Sequence, residues 1–459
     1  MRSKMLDLSD AILSTFSLFS PLFSRPIDRN VRLLFLGHIL CKGRRTIADV
    51  LRCLHLENIK NFSKFHWVLS GAKWCAFQGA KILLLEIARS FSGSEEELLI
   101  SIDTTIERRK GCKIKGLGRQ RDAVRSTKGH KVLTTGLQWL VASVCVKIPM
   151  FNRFWALPFF TQLVPPKRPL SSSKNTGDLK GRRHKKSTEW AAQLPLVIRY
   201  WLGKERKFAV VADQGFACYK IAHACVKAQS ALISRLRFDA RIFDFPPREI
   251  LRRGRPRLVG KRLPLFTELL KDKTLTWEEL EVDWYESKKK RVLIYTGTSL
   301  WYAYGIPPVT IRWVLLKDPS EEVAPVVLFS TNIEHSPTKI IEAFVLRWRL
   351  EVTFEESRRH LGVETQRQWA DAAIERTTPC LMGSFSIITL MAVKLAQEER
   401  RQIPIQNTSW YKKDHVTFSD VLSYVRTHIL RRRYFSKIGK KIKLGKIDLE
   451  ELISRAAAA

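Results

Sequence analysis

Acid is scarce in this chain. Its 459 residues hold 44 Asp and Glu against 80 Lys and Arg, a formal net charge of +36 and a pI near 10.1. A solvated surface needs no such one-sidedness, and like charges destabilise the compact state. A polyanionic partner offsets that cost, and DNA or RNA is the first expectation. A ribosome-associated protein and a membrane-surface protein are the alternatives. Metal-binding cysteine pairs are missing too. Eight cysteines stand at 41, 53, 75, 112, 145, 218, 225 and 380, none at Cys-x-x-Cys spacing and none beside a histidine cluster. That speaks against structural zinc, and their apolar settings fit a reducing cytoplasm. No uncharged run reaches the length of a bilayer span. Thr377–Val393 stops at 17 residues and is interrupted by Pro379 and Gly383, so a buried helix is expected and no membrane. The apolar stretch Ala11–Phe23 follows Asp7 and Asp10 and precedes no small-residue cleavage site, which excludes a signal peptide.

What is present is enough apolar material, 45% of residues, for two or three domains with cores of their own. Residues 1–95 read as helical. Thr46 stands as an N-cap before Ile47–Leu54, and amphipathic stretches follow at Phe62–Leu69 and Ala76–Ile87. Two readings stand for this region, a helical DNA-binding unit in helix-turn-helix style or a helical cap on the core. Residues 96–240 alternate strands and helices, with Val132–Val146 reading as a pair of strands and Thr188–Trp201 as one helix. Pro165–Thr188 reads as a flexible basic loop. Residues 241–325 alternate in the manner of antiparallel strands with one wet face, as in Arg291–Tyr295 and Thr310–Leu316. Residues 326–398 return to the core, and 399–459 form a basic C-terminal region.

Three acids stand out. Asp103 follows the apolar run Leu98–Ile102, and Asp213 follows Phe208–Ala212, so both read as acids at the C-terminal ends of buried strands. Glu351 lies in Phe344–Arg358, which reads as one helix. At about 100° per residue, Phe344, Arg347, Glu351 and Arg358 fall within about 60° of one another. Carboxylates from two strand ends and one helix can converge on a pair of cations, and flanking arginines can hold phosphates. Glu355, one turn on, is the rival to Glu351.

On these residues the chain resembles the DDE transposases of bacterial insertion sequences. The closest group carries Tyr, two residues, Arg, three residues, Glu, six residues, Lys. Here Phe344, Arg347, Glu351 and Arg358 stand at those spacings, with Phe for Tyr and Arg for Lys. The resemblance runs from about Arg44 to about Ala396. It includes Ser101–Thr105, Ala212–Phe216 and Gly254–Arg257. It implies an RNase H-like α/β mixed sheet flanked by helices, with a β-rich insertion between Asp213 and Glu351 at about 241–325. It implies that Asp103, Asp213 and Glu351 are catalytic and hold two Mg²⁺, with Mn²⁺ able to substitute. Arg347 and Arg358 then contact phosphate. Arg255 and Arg257, in a basic Gly-Arg-Pro-Arg segment, then contact DNA from a loop of the insertion. Cut-and-paste transposition on double-stranded DNA by a homodimer in a synaptic complex is the implied function. A catalytically silent DNA-binding relative and a basic structural nucleic-acid-binding protein are the alternatives. Trp284, Trp301 and Trp313 of the insertion read as core.

Overall fold

The structure, a computed structural model, describes residues 8–122, 125–127, 129–167, 184–247, 257–285 and 288–438. Five helices come first: α1 (Asp10–Phe19), α2 (Arg25–Leu40), α3 (Ile47–Cys53), α4 (Ser63–Ser70) and α5 (Ala76–Phe91). Thr46 does cap α3, its hydroxyl accepting from the Asp49 N–H at 3.1 Å. The strands β1 (Leu98–Arg108), β2 (Gly118–Arg121), β3 (Leu133–Ile148) and β4 (Arg153–Val164) follow, then α6 (Ser187–Ala191), α7 (Leu194–Leu202), β5 (Phe208–Ala212), α8 (Tyr219–Lys227) and β6 (Ala231–Leu236). Next come β7 (Ile242–Phe243), α9 (Phe266–Leu269), β8 (Glu278–Asp283), β9 (Lys289–Trp301), β10 (Val309–Lys317) and β11 (Val326–Ser330). The described chain closes with α10 (Pro337–Leu346), α11 (Trp348–Leu361), α12 (Asp371–Glu398) and α13 (Phe418–Ile438).

The strands form one mixed sheet in the order β2-β3-β1-β5-β6-β11-β10-β9-β7, with β4 also on β3 and β8 also on β9. Pairing of β5 with β1 and with β6 is parallel; all other pairings are antiparallel. Helices cover both faces, so this is an RNase H-like α/β fold. The strands of 241–325 form no sheet of their own. They extend the central sheet through β11 and β10. Trp301 and Trp313 are buried in it, and Trp284 is half-buried.

Three expectations are corrected. Val132–Val146 is not a strand pair: from Leu133 on it belongs to the single strand β3, because no turn-forming sequence interrupts it. The helix expected from Thr188 to Trp201 is two, broken at Ala192–Gln193 before Pro195, which sits in the first turn of α7 where its missing N–H costs nothing. Phe344–Arg358 is likewise two helices, with a tighter turn at Arg347: its N–H bonds the Phe344 carbonyl, three residues back.

β1 decides where the site lies. Ile100 and Ile102 face one side and join Leu84, Ile87 and Ile388 in the main core. Ser101, Asp103, Thr105 and Glu107 alternate with them on the other side, where Asp103 and Thr105 meet Arg347 and Arg358 and Glu107 meets Thr378 of α12. Glu107 is buried yet fully engaged, accepting from Arg109, from the Trp139 indole at 2.8 Å and from the Thr378 hydroxyl at 2.6 Å. α12 is long and apolar enough to cross a bilayer by length and composition, and most of it is buried against α1, α5, α13 and β4. The first two helices are tied to the last two. The Ala11 N–H donates to the Glu398 carboxylate at 3.2 Å. Arg426, buried on α13, donates to the Ile39 carbonyl at 2.6 Å and the Cys41 carbonyl at 3.2 Å.

Candidate active site

Asp103 is not at a strand end. β1 runs on to Arg108, because Thr104–Arg108 continues the alternation and supplies β-branched residues. Asp213 does end its strand, as the residue before a short 3₁₀ turn, Gln214–Phe216. β1 and β5 are parallel with Ile102 opposite Ala212. One step further, Asp103 and Asp213 stand side by side on strands about 4.8 Å apart. Ser234 of β6 steadies this corner, its hydroxyl donating to the Ala212 and Asp213 carbonyls at 2.8 and 3.1 Å.

The third acid arrives from α11. Arg347 Nη1 lies 3.2 Å from Asp103 Oδ2 and 2.9 Å from Glu351 Oε1, so one guanidinium joins both carboxylates. Phe344 lies under it, with the guanidinium carbon 5.6 Å from the ring centre. Glu355 points elsewhere and pairs with Arg359 at 2.7 Å.

The electrostatics follow from crowding. The Asp103 carboxyl is held up at about 6, chiefly by burial and with help from Glu351 and Asp213, against the downward pull of Arg347 and the Thr104 N–H. Burial opposes the charge on Arg347, but Asp103, Asp213 and Glu351 outweigh it and hold its pKa above the ordinary value. All three acids therefore lie within the field of one cation.

Arg358 sits beyond Arg347 on the same face. It donates to the Thr105 hydroxyl and, at 3.2 Å, to Glu364. Glu364 also pairs with Arg108 at 3.4 Å. Thr105 and Glu364 escape the sequence reading, although the alternation of polar residues along Ser101–Glu107 announces Thr105. Tyr285 escapes it as well, and no local pattern marks it. Burial raises its hydroxyl pKa, and the charges of Arg347, Glu351 and Asp213 all act on it. Its ring packs edge-on against Trp348 at 6.1 Å, on the wall of a cleft of about 1330 Å³ that Arg153, Lys288 and Arg349 also line. Arg255 lies outside the described residues, and Arg257 is exposed at their edge. The basic segment 168–183 lies outside them too.

The donor set suits a hard divalent cation. It is all carboxylate oxygen, and the mutual repulsion that raises Asp103 is what a divalent cation relieves. Among the described residues no cage of three carboxyl, imidazole or thiol groups stands preformed. Arg347 lies between Asp103 and Glu351 in the place a cation would take.

Parallel β1 and β5 carrying adjacent acids, inside an RNase H-like sheet, define a protein of the nuclease class. The sequence model of the DDE superfamily endonucleases matches residues 18–300, well over half of the chain, and the chain belongs to that family. The matched span contains Asp103 and Asp213 and ends before Glu351. No curated protein matches the sequence.

Proposed function

We propose that this chain is a cut-and-paste DNA transposase of the insertion-sequence type, with Asp103, Asp213 and Glu351 as its catalytic carboxylates. The observation that carries the reading is the sharing of Arg347 by Asp103 and Glu351, next to Asp213 on the neighbouring strand. Two Mg²⁺, with Mn²⁺ as a substitute, would supply activation of the attacking oxygen and charge stabilisation at the leaving oxygen. Asp103, with its carboxyl at about 6, is mostly ionised at neutral pH and able to act as a ligand. Arg347 and Arg358 bind phosphate oxygens beside the cleaved bond, and Arg255 and Arg257 hold the DNA from outside. The freed 3′-hydroxyl then attacks target DNA in line, in a reaction governed by positioning and charge.

The same reading assigns residues 1–95 to DNA binding, 241–325 to the β-rich insertion and 399–459 to a basic extension. It places the protein on the nucleoid in the cytoplasm, as a homodimer that pairs two transposon ends. A catalytically silent DNA-binding relative is the second reading, and the presence of all three acids disfavours it. The deciding assay is nicking of end-bearing duplex with Mg²⁺, beside a gel shift. Asp213→Asn and Glu351→Gln should each lose cleavage by about two orders of magnitude or more while binding persists. Glu355→Gln should cleave normally. Full cleavage by Glu351→Gln would refute its role and move the third acid to Glu355.

A further inference from the structure

Beyond Arg358, both acid-bearing elements run on into a second hollow of about 530 Å³. β1 leads from Asp103 to Arg108 and then into Arg109–Ile114. α11 leads from Glu351 through Arg358, and its continuation supplies Glu364–Trp369. Asp103 and Arg108 are five residue steps apart along the strand, about 17 Å. The Arg358–Thr105 and Glu364–Arg108 contacts bridge the two elements along the way, so acid site and hollow share one continuous wall.

The charge of this hollow is unbalanced. Arg44, Lys110, Lys113 and Arg367 are all exposed there. Among the described residues Glu364 is its one lining carboxylate, and Arg358 and Arg108 already engage it. Among the described residues Arg44, Lys110 and Arg367 have no ion-pair partner. In the same hollow Trp369 is 60% exposed, and the Lys113 ammonium lies 5.2 Å from its ring centre. An indole with an open face beside free cations is the combination that binds unpaired nucleotides. The ring stacks on a base, and the cations meet the phosphates. A duplex cannot use that ring, because its bases are already stacked on one another.

Resting on the transposase reading, we propose that this hollow binds an unpaired nucleotide of a DNA strand running on from the scissile phosphate. Its base lies on Trp369, and its phosphates meet Arg44, Lys110 and Arg367. At about 3.4 Å of rise per step, 17 Å puts it about five nucleotides from the cleaved bond. The test uses the full chain in EDTA, so that no cleavage intervenes. Two duplexes of one sequence are compared, one blunt and one with a single-stranded thymidine tail of about six nucleotides. The tail should tighten binding about tenfold. Trp369→Ala should abolish that gain without weakening the blunt duplex, and Trp369→Phe should keep most of it. Arg367→Ala should cut the gain and lower the salt slope of tailed binding by about one. A tail gain unchanged in Trp369→Ala, or absent from the wild type, overturns the proposal. The two readings fail separately. A protein that prefers tails but never nicks loses only the transposase reading; one that nicks without preferring tails loses only this site.

Discussion

Replacing Asp103 by Asn should stabilise the metal-free protein, by an amount that grows with pH. The carboxyl is held at about 6 in the fold against an ordinary value of 3.8. Folding therefore favours its protonated form, and ionisation weakens the fold progressively as pH rises from about 3.8 through about 6. Above pH 7 the full difference applies, ~3 kcal/mol at about 1.4 kcal/mol per pKa unit. At pH 5 only about half of it applies. Asn preserves the shape, and Arg347 keeps its 2.9 Å partner Glu351. With an unfolding entropy of about 2.1 cal/mol/K per residue, cooperative unfolding of this chain turns ~3 kcal/mol into a melting shift of about 3 °C. The measurement is calorimetric melting of both proteins in EDTA from pH 5 to pH 8. The variant's advantage should roughly double across that range. Adding Mg²⁺ at pH 8 should then raise the melting temperature of the wild type more than that of the variant. An advantage that stays constant with pH would refute the argument that burial and neighbouring acids raise Asp103.

Two further outcomes are expected. Glu107→Ala should destabilise the protein by about 3–5 kcal/mol in urea unfolding, because Arg109 is left as a buried cation beside unpaired Trp139 and Thr378 donors. A loss below about 1 kcal/mol would show that water replaces the carboxylate there. DNA affinity should fall about a thousandfold or more between about 50 and 200 mM salt, as expected for six or more phosphate contacts, and a nearly flat salt titration would contradict the reading of the +36 charge.

The site is legible in the sequence wherever local pattern and spacing decide it. Phe208–Ala212 is a short, wholly apolar run, so the acid that follows it falls at the mouth of a buried strand. The Arg347–Glu351 spacing is one helical turn, and the tight turn at Arg347 leaves the two side chains within 2.9 Å. Local pattern misplaces Asp103 because an acid after an apolar run looks like a strand end. The strand continues because Thr104–Arg108 keeps the alternation, and Asp103 meets the Arg347 guanidinium at the α10–α11 junction rather than solvent. Sheet membership is also hidden. An alternating strand shows which face is wet but not which edge it joins, so the strands of 241–325 cannot be told from a separate sheet before β10 is seen beside β11. Tyr285, Glu364 and Trp369 depend wholly on tertiary placement, and nothing around them in the chain marks them.

The clasp between the first and last helices has a consequence for how this protein can be cut or recombined. Arg426 engages carbonyls near residue 40, and Glu398 receives the Ala11 N–H. A fragment ending near residue 300 would leave α1, α2 and α5 without the helices that bury them. Exchange of the N-terminal helices between relatives would have to carry α12 and α13 along. Whatever role those helices serve is therefore inherited together with α12 and α13, as one unit.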